Sequence, residues 1–193
     1  MKQNIIGRTI IAPAPVMIIC SYDENGTPNA MNAVWCGQCA RDEIAVNLVP
    51  SRKTTDNILK THAFTISVGT AATLEICDYF GIASGHHENK IQEAGVNTYK
   101  STCVNAPVLD CFPLTLECKV ISTHTERGET RIVGKIENVL ADESIITSDG
   151  HIDYEALCPI YYDSENKTYR VIGRNIGNAF QDGKSIKNKK AIC

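Results

Sequence analysis

Residues 114–142, LTLECKVISTHTERGETRIVGKIENVLAD, carry the clearest strand pattern in the chain. Over residues 114–122 apolar and polar side chains alternate, which is the period of two expected for a half-buried β-strand. The polar run ERGET predicts a hairpin turn, and residues 130–142 are expected to return as a second long strand. We therefore expect the fold to be built around an antiparallel β-sheet.

Shorter strand patterns precede this hairpin. Residues 15–23 and 28–35 predict two strands joined by a turn at 24–27, where the Asn-Gly pair of ENGT adopts positive φ at little cost. Two more strands are expected over residues 43–50 and 63–68. Further along the chain, PIYYD and TYRVIG predict a last pair of strands around the turn SENK.

Helices are expected to be few and short. Residues 51–62 predict a loop that leads into a short helix, and residues 70–81 predict a helix that ends at Gly81. Residues 82–95 are expected to begin as a polar loop and to end as a short helix. The candidate N-terminal caps of the first helix are Ser51, Thr54 and Thr55. This pattern predicts a single domain over residues 1–193, mainly β with short helices, arranged as a β-barrel with helical additions.

The composition is that of an ordinary globular protein. Hydrophobic residues make up 43% of the chain, and the net charge of −3 gives no electrostatic reason to expect nucleic-acid or membrane binding. No apolar run reaches the roughly 20 residues of a membrane helix. Prolines and a charge interrupt the first twenty residues, which argues against an export signal. The nine cysteines are odd in number and irregularly spaced, so we expect reduced thiols in the cytoplasm.

The segment WCGQC, residues 35–39, has the spacing of a redox-active dithiol. A reactive dithiol of that kind lies at a helix N-terminus, which lowers the pKa of the first thiol. Here ARDE and a predicted strand follow at once, which leaves no room for a helix. A structural metal site would need two more ligands, and no second close cysteine pair occurs. Cys36 and Cys39 are interpreted first as ordinary thiols at a strand end and in its turn, with a dithiol reductase or a metal site as alternatives.

A cluster of cations and hydroxyls precedes the first predicted helix. It consists of Ser51, Arg52, Lys53, Thr54 and Thr55. Backbone N–H groups at a helix start, together with Arg and Lys charges, form a site suited to a phosphate. A capped helix with a solvated basic turn is the alternative, and the P-loop pattern is absent.

Four further residues have both a structural and a functional interpretation. His86 and His87 are interpreted as part of a polar loop rather than as metal ligands, because adjacent residues rarely face one ion. Lys90 follows this polar loop and is placed to approach a bound anion. Trp35 is expected either to pack in the core or to lie beside a flat cofactor. No nucleophile elbow occurs, so we assign no catalytic triad.

Taken together, these segments resemble the flavin reductase-like FMN-binding family, which includes flavoredoxins and NAD(P)H:flavin oxidoreductases with a split-barrel fold. The matching segments, in order, are APAPVMIICSYDENGTPNAMNAVW, IAVNLVPSRKTTDNILKTHAFTISV, YFGIASGHHENKIQEAG and PLTLECKVISTHTERGETRIVGKIENV. The resemblance implies an FMN-binding split β-barrel that is generally a homodimer with the flavin near the subunit interface.

The resemblance also implies which residues contact the flavin. The strand after the first turn would run along the isoalloxazine ring, with Asn29, Met31, Asn32 and Trp35 nearby. The FMN phosphate would be bound by Ser51, Arg52, Lys53, Thr54 and Thr55. Lys90 would supply a second cation for the phosphate or the ribityl chain. No side chain need act as a strong acid or base, because the flavin carries the redox chemistry.

Two features depart from the family pattern. Many members carry a His shortly before the hydrophobic pair and Gly of the closing strand, where this chain has Thr130 and Arg131. The Cys-rich WCGQC also replaces an ordinary strand end. The resemblance implies an oxidoreductase that passes electrons from NAD(P)H through FMN to free flavin, ferric iron or a protein. The alternatives are a flavoredoxin-like carrier without efficient NAD(P)H oxidation, or a dithiol reductase that uses Cys36 and Cys39.

Overall fold

The computed structural model describes residues 2–4 and 13–186. Residue 1 and residues 5–12 of the segment considered above for an export signal lie outside this range. The strands are β1 (Ala14–Pro15), β2 (Met17–Tyr22), β3 (Pro28–Ala33), β4 (Cys36–Ala40), β5 (Glu43–Leu48), β6 (Ala63–Val68), β7 (Thr98–Lys100), β8 (Pro107–Leu109), β9 (Leu114–Glu126), β10 (Glu129–Ala141), β11 (Ile160–Asp163) and β12 (Thr168–Val171). The α-helices are α1 (Lys53–Thr61), α2 (Leu74–Ile82), α3 (Lys90–Glu93) and α4 (Tyr154–Leu157).

Seven strands form one antiparallel sheet in the order β3-β2-β6-β9-β10-β5-β4. The edge strands β3 and β4 are consecutive in the chain, and only Val34 and Trp35 connect them. A two-residue connection cannot span a flat seven-stranded sheet, so the sheet must curl until its two edges approach each other. This geometry confirms a mainly β fold with short helices and a barrel that is split along one seam.

The long hairpin is present and is longer than predicted. β9 and β10 meet at Arg127 and Gly128, whose φ values of 52° and 83° are those of the tight turn that matches strand twist. The predicted first strand stopped at residue 122 because the outer residues THTE are exposed and have no apolar alternation. Two register shifts, one of them between Val133 and Gly134, bend the hairpin as it follows the barrel.

Two apolar clusters lie on opposite faces of the sheet. Inside the barrel, Ile19, Phe64 and Ile132 pack together at full burial. On the outer face, Ile18 of β2 packs against Phe80 of α2 in a second cluster. Because α2 and α3 cover this outer face, β2 is buried on both sides. Its first four residues, MIIC, are accordingly all apolar.

Several local predictions are corrected. Arg52 occupies the N-cap of α1 and no side chain caps the helix; Thr54 and Thr55 lie within its first turn. The helix predicted over residues 70–81 begins as a 3₁₀ turn, and α2 continues through Gly81 to Ile82. The cysteine pair lies in a separate edge strand, β4, rather than in a turn. In the described part of the chain, no helix has the length and apolarity needed to cross a membrane.

Candidate functional site

A cleft of about 250 Å³ opens at the seam of the barrel. We call it the seam cleft; side chains from residues 29–35, 47–49, 52–54 and 80–90 line it. The edge strand β3 forms one wall, and the end of β5 forms another. The start of α1 and the segment from Phe80 to His86 complete it. The cleft therefore lies where the split leaves strand β3 without a neighbour on one side.

Eight of the ten side chains predicted to form the site line the seam cleft. They are Asn29, Met31, Asn32, Trp35, Arg52, Lys53, Thr54 and Lys90. Ser51 and Thr55 are not in its lining. The buried Thr55 hydroxyl donates a hydrogen bond of 2.9 Å to the Val49 carbonyl, which ties the helix to the end of β5. Ser51 is exposed, and it reaches the site only through its backbone carbonyl.

The start of α1 provides donors at one end of the cleft. Because the N-cap residue Arg52 has no side-chain acceptor for the first-turn N–H groups, these groups are left for a ligand. The Thr54 hydroxyl accepts a 2.7 Å hydrogen bond from the Asn29 amide, so its own proton is still available to donate. Backbone donors, a hydroxyl and the helix dipole together favour an anion here. We call this region the anion end.

The cations of the anion end differ in their pairing. The Lys53 ammonium lies 3.4 Å from the Asp23 carboxylate and is already partly neutralised. Within the described residues, neither Arg52 nor Lys90 forms an ion pair with a carboxylate. Arg52 and Lys90 are thus the two positive charges that a bound anion would meet.

Lys90 is unusual because it is a buried cation. Its side chain is only 4% exposed, and its ammonium donates a hydrogen bond of 3.1 Å to the Phe80 carbonyl. The same nitrogen lies 5.9 Å from the centre of the Phe80 ring, within cation–π range. Burial, with repulsion from Arg52, lowers the pKa of Lys90 from 10.5 to about 8. An anion in the cleft would compensate for this loss of solvation.

The other end of the cleft combines apolar surface with one buried polar atom that has no hydrogen-bond partner among the described residues. The Asn32 amide donates a hydrogen bond of 2.9 Å to the Cys77 carbonyl, while its buried oxygen has no partner among the described residues. Trp35 is 60% exposed at the rim, and its carbonyl accepts a hydrogen bond from the backbone N–H of Asn47. Met31 and Leu48 supply apolar walls. This end suits a flat molecule with an apolar face and a polar edge.

The loop after α2 adds residues that sequence reasoning did not assign to the site. His86 lines the seam cleft, and its Nε2 donates a hydrogen bond of 3.0 Å to the Ser51 carbonyl. A Cβ on Gly85 would overlap the amide oxygen of Asn29, so only glycine lets the loop approach this closely. The Ser-Gly pair of SGHHENK indicated a loop at this position. It could not indicate the hydrogen bond between His86 and Ser51, because these residues lie 35 positions apart in the chain.

The cysteine pair lacks the features of a reactive dithiol. Burial raises the pKa of the Cys36 thiol to about 12, which leaves it protonated at neutral pH. Cys39 is exposed on the same extended strand, where no helix N-terminus stabilises a thiolate. The cysteines in the described residues are free, and those residues contain no cluster of three His, Cys, Asp or Glu side chains fit to hold a metal.

Comparison with known proteins identifies relatives of this architecture. The family model described as flavin reductase like domain matches residues 9–167. Flavoredoxin of Desulfovibrio vulgaris (Miyazaki F) is 32% identical, with a TM-score of 0.90 over 95% of this chain and 100% of that chain. A split barrel domain protein from Shewanella frigidimarina is 18% identical, with a TM-score of 0.76 over 86% of each chain. An FMN-binding protein of Thermus thermophilus is 17% identical, with a TM-score of 0.75 over 92% of this chain and 97% of that chain.

The family match spans the barrel and the segments that line the seam cleft, and it extends from the N-terminal strands to the turn between β11 and β12. It agrees with the near-complete superposition on flavoredoxin. This chain therefore belongs to the flavin reductase-like domain family.

Proposed function

We propose that this protein holds FMN in the seam cleft and acts as an oxidoreductase that passes electrons from NAD(P)H through the flavin to an acceptor. The observation that carries the proposal is the pairing of two unlike ends in one cleft. The anion end offers two cations without carboxylate partners, and the other end offers an apolar wall with a buried amide oxygen that lacks a partner.

The chemistry of the donor set fits the phosphate of FMN. Arg52, Lys90, the Thr54 hydroxyl and the free N–H groups of the first turn of α1 would hold it. A phosphate monoester carries close to two negative charges at neutral pH, which matches the two unpaired cations. Ser51 and Thr55 would contribute only through their backbones.

The opposite end fits the isoalloxazine ring. Asn32 offers a buried acceptor, and the outer edge of β3 offers backbone groups that pair with no strand in the described residues. Such groups would meet the polar edge of a bound ring and so tune its potential, while Met31, Trp35 and Leu48 would cover its apolar surface. The bound flavin supplies the redox chemistry, and the protein positions it and controls access of water.

We propose free flavin, ferric iron or a partner protein as the acceptor. A second candidate function, a flavoredoxin-like carrier without efficient NAD(P)H oxidation, is favoured by the 32% identity to flavoredoxin over its whole length. The residues that replace the family's His also favour the carrier. Thr130 is 1% exposed and hydrogen-bonded to Thr125, and Arg131 is exposed. Neither side chain carries an imidazole that could act on a nicotinamide.

Two measurements test these proposals in turn. The purified protein should bind FMN in a 1:1 ratio and become yellow, and a colourless protein that takes up no FMN would exclude both functions. Anaerobic mixing of the FMN-loaded protein with NADH or NADPH then separates them. Rapid bleaching of the flavin band identifies a reductase, whereas a band that bleaches only with a reduced protein partner identifies a carrier.

We also propose that the protein is a cytoplasmic homodimer. The exposed apolar side chains of Trp35 and Ile82 near the cleft support this assembly, because a second copy would cover them. Light scattering during size-exclusion chromatography should give a mass of twice that of the chain, and a mass of one chain would exclude a stable dimer.

A further inference from the structure

Beyond the anion end, the seam cleft continues into a second, smaller hollow of about 210 Å³. Lys53, Gly85 and His86 line both spaces, so the hollow adjoins the anion end, and a group attached to a phosphate bound there would have room to extend into it. We call it the acidic hollow, because its walls include Asp23, Glu24 and Asp56.

The charged side chains that line the acidic hollow form ion pairs with one another. Asp56 lies 2.9 Å and Glu24 lies 3.8 Å from the same Lys60 ammonium, so two carboxylates share one cation. Asp23 pairs with Lys53 at 3.4 Å. Three carboxylates therefore face two ammonium groups, which leaves one negative charge in excess.

Asp23 is held in its ionised form. Partial burial acts to raise its pKa, but hydrogen bonds from the backbone N–H groups of Thr27 and Asn25, together with Lys53, lower the pKa below its ordinary value of 3.8. Asp23 therefore keeps its negative charge throughout the physiological pH range.

The two cations that have no carboxylate partner line only the seam cleft. Arg52 and Lys90 line the seam cleft but not the acidic hollow. A phosphate monoester places both of its negative charges beside these two cations. A pyrophosphate diester carries one charge on each phosphorus, and its second phosphate would enter the hollow, where it would meet three carboxylates and no unpaired cation.

We propose that Asp23, Glu24 and Asp56 make this site selective for a flavin that ends in a phosphate monoester, and that they exclude flavins extended through a pyrophosphate, such as FAD. This inference rests on the proposed binding of FMN in the seam cleft. It adds the residues that decide which phosphorylated flavin is accepted.

The test compares FMN, FAD and riboflavin binding to the full-length protein by flavin fluorescence titration. The wild type should bind FMN at least ten times more tightly than FAD. In the triple variant D23N/E24Q/D56N, FAD should gain at least fivefold in affinity relative to FMN, with riboflavin unchanged. Asp23→Asn keeps the Oδ1 acceptor for the backbone N–H groups of Asn25 and Thr27 and removes only the charge. A variant with the same charge change elsewhere, E75Q/E93Q/E155Q, should leave the FMN-to-FAD ratio unaltered.

Two further measurements test the same selectivity if the triple variant folds poorly. The double variant E24Q/D56N leaves the Asp23 turn intact and should still raise relative FAD affinity, and added NaCl should narrow the wild-type FMN-to-FAD ratio. Equal FMN and FAD affinities in the wild type, or equal gains for both flavins in the variants, would overturn the inference while leaving FMN binding in place. Failure to bind any of the three flavins would instead reject the proposed function.

Discussion

The side-chain amide of Asn29 donates a hydrogen bond of 2.7 Å to the hydroxyl of Thr54, which lies 25 residues further along the chain. Both side chains are buried, at 5% and 1% exposure. The bond joins the edge strand β3 to the first turn of α1, and Gly85 packs against the same Asn29 amide. One contact therefore fixes the proposed ring-binding strand relative to the proposed phosphate-binding turn.

Thr54→Val should weaken FMN binding by about 1–3 kcal/mol, because it removes the proposed phosphate donor and leaves the Asn29 amide buried without its partner. Thr54→Ser keeps the hydroxyl and should retain most of the wild-type affinity. Fluorescence titration with FMN gives both values. A Val variant with wild-type affinity would show that this hydroxyl does not contact the ligand.

Arg52→Ala should also weaken FMN binding by about 1–3 kcal/mol, because Arg52 forms no ion pair with a carboxylate in the described residues and is available to the phosphate. Riboflavin affinity should not change, since riboflavin has no phosphate. Arg41→Ala, at an exposed position outside the cleft, is the matched control. Equal losses for FMN and riboflavin would mean that Arg52 supports the fold and not the phosphate.

The double variant C36S/C39S should leave flavin reduction and electron delivery within about twofold of the wild type. A thiol with a pKa near 12 does not exchange electrons as a thiolate at neutral pH, and Cys39 on the same edge strand has no activating helix. Stopped-flow measurement of electron transfer from the reduced flavin to an added acceptor checks this. A loss of tenfold or more would restore the dithiol to the mechanism.

The features that could be predicted from the sequence are those determined by local pattern. The period of two over residues 114–122 indicated the long hairpin, and the cations and hydroxyls before a helix start indicated the anion end. Strand β4 could not be predicted, because Gly37, Gln38 and Cys39 are all exposed and show no apolar alternation. It pairs with β5 as a hairpin through the two residues Arg41 and Asp42, which carry no Asn-Gly or Asp-Gly turn signal.

The features that could not be predicted depend on contacts between distant segments. His86 belongs to the site only because its loop folds back onto Ser51, and Lys53 is paired with a carboxylate only because the first turn brings Asp23 beside it. The acidic hollow likewise combines Asp23 and Glu24 of that turn with Asp56 of α1. The residue spacing within one of these segments does not predict that the other segments lie beside it.

Gly134→Ala should lower the free energy of unfolding by about 1–3 kcal/mol through overpacking. A Cβ at this position would lie 2.5 Å from the Cζ atom of the fully buried Phe64 ring. Gly37→Ala on the exposed edge strand, where a Cβ meets nothing within 4 Å, is the control and should change stability by less than about 0.5 kcal/mol. Urea unfolding monitored by circular dichroism measures both, and equal stabilities would mean that the Phe64 ring moves aside freely.

The affinity for FMN should fall as the pH rises above about 8. Burial lowers the pKa of Lys90 in the ligand-free protein from 10.5 to about 8, so the ammonium that a phosphate requires is present below that pH and is lost above it. The phosphate itself stays dianionic over this range, because its second pKa is near 6. The dissociation constant should therefore be level from pH 7 to 8 and then rise by up to tenfold per pH unit.

Lys90→Met tests the origin of this pH dependence. The variant should bind FMN more weakly at pH 7 and should show no rise in the dissociation constant between pH 8 and 9.5, because the titrating group is gone. Lys90→Arg should keep affinity level across the same range, since a guanidinium remains charged. Riboflavin provides the reference for any pH effect on the ring or the fold. If the rise persists in Lys90→Met, or if riboflavin shows the same rise as FMN, Lys90 is not the group that binds the phosphate.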